Sequence, residues 1–142
     1  MDERIKRTKD KLRVYGSYSR DIHKVWLQLE RINGAMFWHQ DWPEQAAKEL
    51  GIKGTDNKHP PGQQLCVQKT ALEAQLKQLR AARSALGLDA WLDSLSQDDR
   101  QIIRLVYEDE MTQQEVAPRV NLTRSGVRNR IDTICKKRTA GR

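Results

Sequence analysis

The 142-residue chain is poor in the residues that build covalent, metal or thick apolar scaffolds. It has 2 cysteines, 4 prolines, 3 histidines and only 8 aromatic residues, with a single phenylalanine among them. Cys66 and Cys135 lie far apart and in no metal-ligand spacing, so neither a disulfide framework nor a zinc motif is supported. Cys135, next to Ile134, is expected to be a packing residue. No apolar run approaches the length needed to span a membrane, and MDERIKRTKDKLR has no hydrophobic core of a secretion signal. The expectation is a protein of the cytoplasm, associated with the nucleoid. His23, His39 and His59 stand without a paired nucleophile, and Gly51, Gly54 and Gly62 sit in a linker rather than a phosphate loop. Catalysis, cofactors and metals are therefore not expected.

Charge is what the chain has in quantity, and it is uneven. Charged residues make up 32% of the sequence and the net charge is +7. Residues 96–118 carry 2 Lys/Arg against 6 Asp/Glu, whereas 119–142 carry 8 against 1. A basic cluster at one edge of a small fold is the footprint of a polyanion binder. The lean apolar content suits helical hairpins with solvated faces, so the predicted fold is all-α: a long helical hairpin followed by a C-terminal three-helix helix-turn-helix module.

Residues 1–17 form an expected basic N-terminal arm, closed by Gly16. The hairpin is expected over 18–95. In its first limb Ile22, Val25, Leu29, Ile32 and Met36 step by 3 and 4 residues, with Trp26 and Leu27 widening the seam and Asn33-Gly34 interrupting it. Phe37, Trp38 and Trp42 follow as an aromatic cluster, read as a hydrophobic plug or as a partner surface. Residues 43–50 fit a short helix, and 51–63, with three glycines and two prolines, a loop. In the second limb Leu65, Leu72, Leu79 and Leu86 repeat every seven residues, with Leu76 between them. This stripe faces either the first limb or a second copy in a homodimer. Leu88, Trp91, Leu92 and Leu95 then lead into the C-terminal module.

Residues 96–142 carry the functional signal. Ser96 is placed to cap a helix with Asp98 and Asp99 in its first turn and an inner face of Ile102, Ile103 and Val106. Thr112 and Glu115 form a capping box, predicting a helix over 113–119. Asn121-Leu122 makes a tight turn, and Thr123 caps a last helix with Val127, Ile131 and Ile134 inward. Arg124, Ser125, Arg128 and Asn129 face outward. Guanidinium and amide groups can each pair two atoms of one base, so these four are the expected base readers. Gln113, Gln114, Thr123, Lys136, Lys137 and Arg138 are the expected phosphate contacts. Asp132 is expected on the reading side, and Arg130 opposite an acid such as Glu115 or Glu108. Pro118 should shorten or kink the helix before the turn.

The string Thr112-x-x-Glu115-Val116-Ala117, then Thr123-Arg124 and Val127-Arg128, with Leu95, Arg100, Ile103, Leu105, Tyr107, Asn121 and Ile131 around it, resembles region 4 of bacterial sigma factors. Asn121 stands where that family usually has glycine. The longer arrangement of hairpin, loop and region 4-like module resembles small phage transcriptional regulators of the RinA/ArpU type. Those resemblances imply a sequence-specific binder of double-stranded DNA that activates phage late genes with host RNA polymerase. Two other functions share these features: a small-terminase-like DNA packaging adaptor, and an interaction protein that binds RNA polymerase without DNA.

Overall fold

The structure is a computed structural model that describes residues 3–38, 45, 48–51 and 61–140. Its elements are helices throughout those residues: α1 (Glu3–Trp38), α2 (Pro61–Ala85), α3 (Asp89–Ser94), α4 (Gln97–Ile103), α5 (Gln113–Arg119) and α6 (Arg124–Ala140). α4 runs on into a π-helical turn, Arg104–Glu108. The fold is all-α and ends in a helix-turn-helix. It divides into two compact units, one of residues 1–20 with 81–142 and one of residues 21–80. That division differs from the expected boundaries at 17/18 and 95/96.

The unit of residues 21–80 is a helical hairpin. Ile22, Val25 and Leu29 of α1 share a core with Leu76, against which Leu72 and Leu79 pack. A second cluster holds Ile32, Ala35 and Leu65. The seam of one limb thus covers the leucine stripe of the other, which removes much of the apolar surface that a homodimer through that stripe would use. Trp26 and Leu27 do not widen the seam: they are 42% and 48% exposed. Asn33-Gly34 does not interrupt the helix either. A helical glycine costs only about 1 kcal/mol, and the buried Ile32 and Ala35 on its flanks offset that. Pro61 opens α2 at a position where its missing N–H is no loss, so the loop expected over 51–63 stops before 61. Most of that loop, Trp42 and four residues of the expected 43–50 helix lie outside the described residues; of that helix, Gln45, Lys48 and Glu49 are described and helical.

The other unit contains one core. Leu12, Leu88, Leu92, Ile102, Ile103, Leu105, Val116, Ala117, Val127, Ile131, Ile134 and Cys135 are all buried in it. Leu12 comes from the segment expected to be a basic arm. From Glu3 onward that segment is instead the first part of α1, and it is docked. Gly16, expected to end the helix, lies inside it. A Cβ built there would fall on the Tyr107 carbonyl oxygen and 2.7 Å from its carbon. The glycine is therefore a point of close approach between α1 and the π-helical turn. Arg20 secures the same place, donating through Nη1 to the carbonyls of Tyr107 (2.6 Å) and Glu108 (3.3 Å) and pairing with Glu110 (3.0 Å). Glu110 has a φ of 54° and reverses the chain after the wide turn, where the Met111 N–H donates to Leu105. α2 ends before Gly87, whose φ of 71° is the left-handed conformation glycine supplies most easily.

Burial of two phenols in this unit sets an alkaline limit. Tyr107 is pushed up to about 12, first by burial and then by nearby negative charge, chiefly at Cys135. Tyr15 is also raised to about 12, by burial and by its hydrogen bond to Asp89. The neutral phenols favour the folded state. Their contribution is complete below a pH of about 10, the unfolded value, and is lost as pH rises toward about 12. Urea unfolding followed across that window should show stability falling with pH, and Tyr107→Phe should make the fall shallower.

Candidate nucleic-acid interface

Each helix of the C-terminal module begins where the sequence supplies a cap. Ser96 Oγ accepts from the Asp99 N–H (3.2 Å). Thr112 Oγ1 accepts from the Glu115 N–H (3.2 Å), and the Glu115 carboxylate receives the Thr112 N–H in return. Thr123 Oγ1 accepts from the Gly126 N–H (3.0 Å). These bonds satisfy amides that a helix start leaves without partners. α5 is only seven residues long and contains Pro118. The proline cannot donate to the Gln114 carbonyl, and the helix stops one residue later. Asn121 then takes a φ of 57°, and the Leu122 N–H donates back to the Ala117 carbonyl at 3.0 Å. That is a Schellman-type ending with asparagine in the left-handed position. The shortened α5 and the asparagine turn are thus one device, setting the entry to α6.

α6 is sharply two-sided. Val127, Ile131, Ile134 and Cys135 are buried. Arg124, Ser125, Arg128 and Asn129 are all exposed on its first two turns. Of the expected phosphate contacts, Gln114, Thr123, Lys136 and Lys137 are exposed and Gln113 is half-buried. The Thr123 hydroxyl oxygen already accepts from the Gly126 N–H, which leaves its O–H as the group that can donate.

Two residues have other partners than the sequence suggested, and a third, on the reading side as expected, is already paired. Arg138 is half-buried, with its guanidinium 5.7 Å from the centre of the Trp91 ring and donating to Thr8 (3.4 Å). It ties the end of α6 to α3 and α1, which leaves it poorly placed as a phosphate contact. Arg130 pairs with neither Glu115 nor Glu108. Its Nε donates to Asp99 at 2.6 Å. Asp99 is buried at the first turn of α4. Asp132 is paired with Lys9 of α1. Among the proposed partner-surface residues, Phe37 is 68% exposed. Trp38 ends α1, and Trp42 is outside the described residues.

Sequence reasoning missed Lys9, Gly16 and Arg20, because their roles depend on a contact between α1 and the C-terminal module that no local pattern announces. One signal was present. Lys6, Lys9, Arg13 and Arg20 step by 3, 4 and 7 residues, which places them along one edge of a helix. The unit that contains α6 carries 18 Lys/Arg against 12 Asp/Glu, while residues 21–80 carry 8 against 7. The positive charge is therefore concentrated in the unit with the helix-turn-helix.

Residues 91–137, about a third of the chain, match the family model for sigma-70 region 4. Nothing matches the chain among curated proteins or solved structures. The C-terminal module is a sigma region 4-like helix-turn-helix, a DNA-binding module of the transcription machinery. No helix among the described residues is long and apolar enough to cross a membrane.

Proposed function

We propose that this protein is a sequence-specific regulator of transcription that binds double-stranded DNA through α6 and works with bacterial RNA polymerase, as an activator of phage late genes. The observation that carries the reading is the division of α6. One face is fully buried, and the opposite face presents Arg124, Ser125, Arg128 and Asn129 together to solvent. Arginine and asparagine can each make paired hydrogen bonds to a base edge in the major groove. The Asn121 turn and the Thr123 cap fix where that face begins.

The protein acts by binding, with no catalytic step, on DNA of the nucleoid. Phe37, with Trp38 and Trp42 close to it in the sequence, is the proposed contact for the polymerase or another protein. A packaging adaptor would need a surface for assembling a ring, and the leucine stripe is already largely covered by α1. A polymerase binder that ignores DNA would have no use for four exposed base-reading side chains on one helix.

Selection of bound sites from a randomised duplex pool tests the reading. A defined sequence should be enriched. Arg128→Ala should then lower the preference for that sequence over random DNA by roughly tenfold to a hundredfold, corresponding to loss of one paired base contact worth about 1–3 kcal/mol. Undiminished discrimination would remove Arg128 from the reading set. Absence of any enrichment, together with absence of salt-dependent binding, would remove DNA as the ligand.

A further inference from the structure

The first part of α1 lies outside the segment that matches sigma-70 region 4, yet it is docked on that module. Its buried face is formed by Thr8, Leu12 and Gly16. At roughly 100° per residue, Lys6, Lys9, Arg13 and Arg20 follow one another along a single edge beside that face. Lys9 fixes where the edge runs, because it reaches Asp132 of α6. On α6, Asp132 falls within the outward arc that holds Arg128, Ser125 and Asn129. The cationic edge of α1 therefore borders the reading face. Lys9, Arg13 and Arg20 also line a groove of about 360 Å³ together with Gln113 of the helix-turn-helix. A residue expected to touch phosphate and three cations of α1 thus share one concavity.

We infer that this edge of α1 is a second contact for the DNA backbone, with Lys6 and Arg13 binding phosphates of the same duplex that α6 reads. The inference rests on the DNA-binding reading of α6. The cations have different tasks. Lys9 is mostly buried and already paired, so it neutralises Asp132, the one carboxylate of α6, which would otherwise oppose the phosphates. Arg20 is committed to the Tyr107 and Glu108 carbonyls and holds α1 in place. Lys6 is exposed, and among the described residues Arg13 makes its ion pair with the exposed Asp10 at 2.6 Å. A surface pair of that kind contributes little, so a phosphate can replace Asp10. Lys6 and Arg13 are seven residues apart, about 10 Å along the helix, so they can reach different phosphates. The occupant is a polyanion because the edge is cationic, and it is the duplex on α6 because the edge is continuous with the reading face.

The test is the salt dependence of binding by the full-length chain, measured by fluorescence anisotropy with a labelled duplex. Each phosphate contact contributes about 0.9 to the slope of log K against log salt. Lys6→Gln with Arg13→Gln should make that slope shallower by about 1.8 while leaving the preference for the selected sequence unchanged. Both side chains are exposed, so the thermal midpoint should stay with the parent and identify the loss as one of contact. Lys77→Gln with Arg80→Gln, an equal charge change on exposed residues of the hairpin, should leave the slope as it was. Two results overturn the inference: a parent slope retained by the Lys6/Arg13 variant, or an equal loss in the hairpin variant. If the parent itself shows no salt-dependent binding to duplex, the reading of α6 fails first and this inference fails with it.

Discussion

Leu12→Ala is expected to destabilise the unit that holds the helix-turn-helix by about 2–5 kcal/mol. The side chain is fully buried, in the same core as Val127, Ile131 and Ile134, the inward face of α6. Truncation removes three carbons from a packed interior and leaves a cavity that fixed helices can fill only in part. Small domains have total stabilities of about 5–15 kcal/mol, so the loss is a large share of what is available. The midpoint of urea unfolding reads it directly. A result within about 0.5 kcal/mol of the parent would mean that α1 is not part of this core. Leu27→Ala provides the contrast. That leucine is 48% exposed, and its truncation should cost far less.

Gly16→Ala should also destabilise, by roughly 2–3 kcal/mol, in the range found for overpacked interiors. The sign is the informative part. In a helix free of neighbours, alanine replacing glycine stabilises by about 1 kcal/mol. At Gly16 the added methyl meets the Tyr107 carbonyl, which is backbone and cannot rotate aside. To relieve it, α1 must lift from the π-helical turn, which lengthens the Arg20 hydrogen bonds and loosens Leu12. Gly34→Ala in the same helix meets nothing within 4 Å and should stabilise by about 1 kcal/mol. Opposite signs at the two glycines, measured by denaturant unfolding, would establish the close approach. A stabilising Gly16→Ala would refute it. Because Lys9 and Arg13 sit on the docked part of α1, the Gly16 variant should also weaken DNA binding, whereas Gly34→Ala should not.

The helix-turn-helix was legible because its signals are local. Ser96, Thr112 and Thr123 cap helices through bonds to amides three residues ahead, and each of those bonds is present. Asn121 was readable as a left-handed position because few other side chains tolerate it. The outward set on α6 followed from helical periodicity alone. Periodicity likewise identified the two apolar seams of the hairpin, since a repeat of 3 and 4 residues can bury a stripe only against another helix.

The partners of charged residues were not legible in this way. Asp132 and Arg130 could each reach several ions of opposite sign, and only the packing of α1 and α4 on α6 selected Lys9 and Asp99. Arg138 reads from the sequence as a phosphate contact, and the structure places it over Trp91. Gly16 shows the limit most clearly. Glycine in a helix reads as a break, because propensity counts only what the residue lacks. The tertiary structure uses that lack, bringing a carbonyl from more than ninety positions away to where a side chain would have been. Caps and periodic faces depend on near neighbours, so an all-α chain with a capped, basic helix-turn-helix can be read from the residues alone. That the first turns of α1 belong to that module comes from packing, since a contact between distant segments depends on shape that neither segment encodes alone.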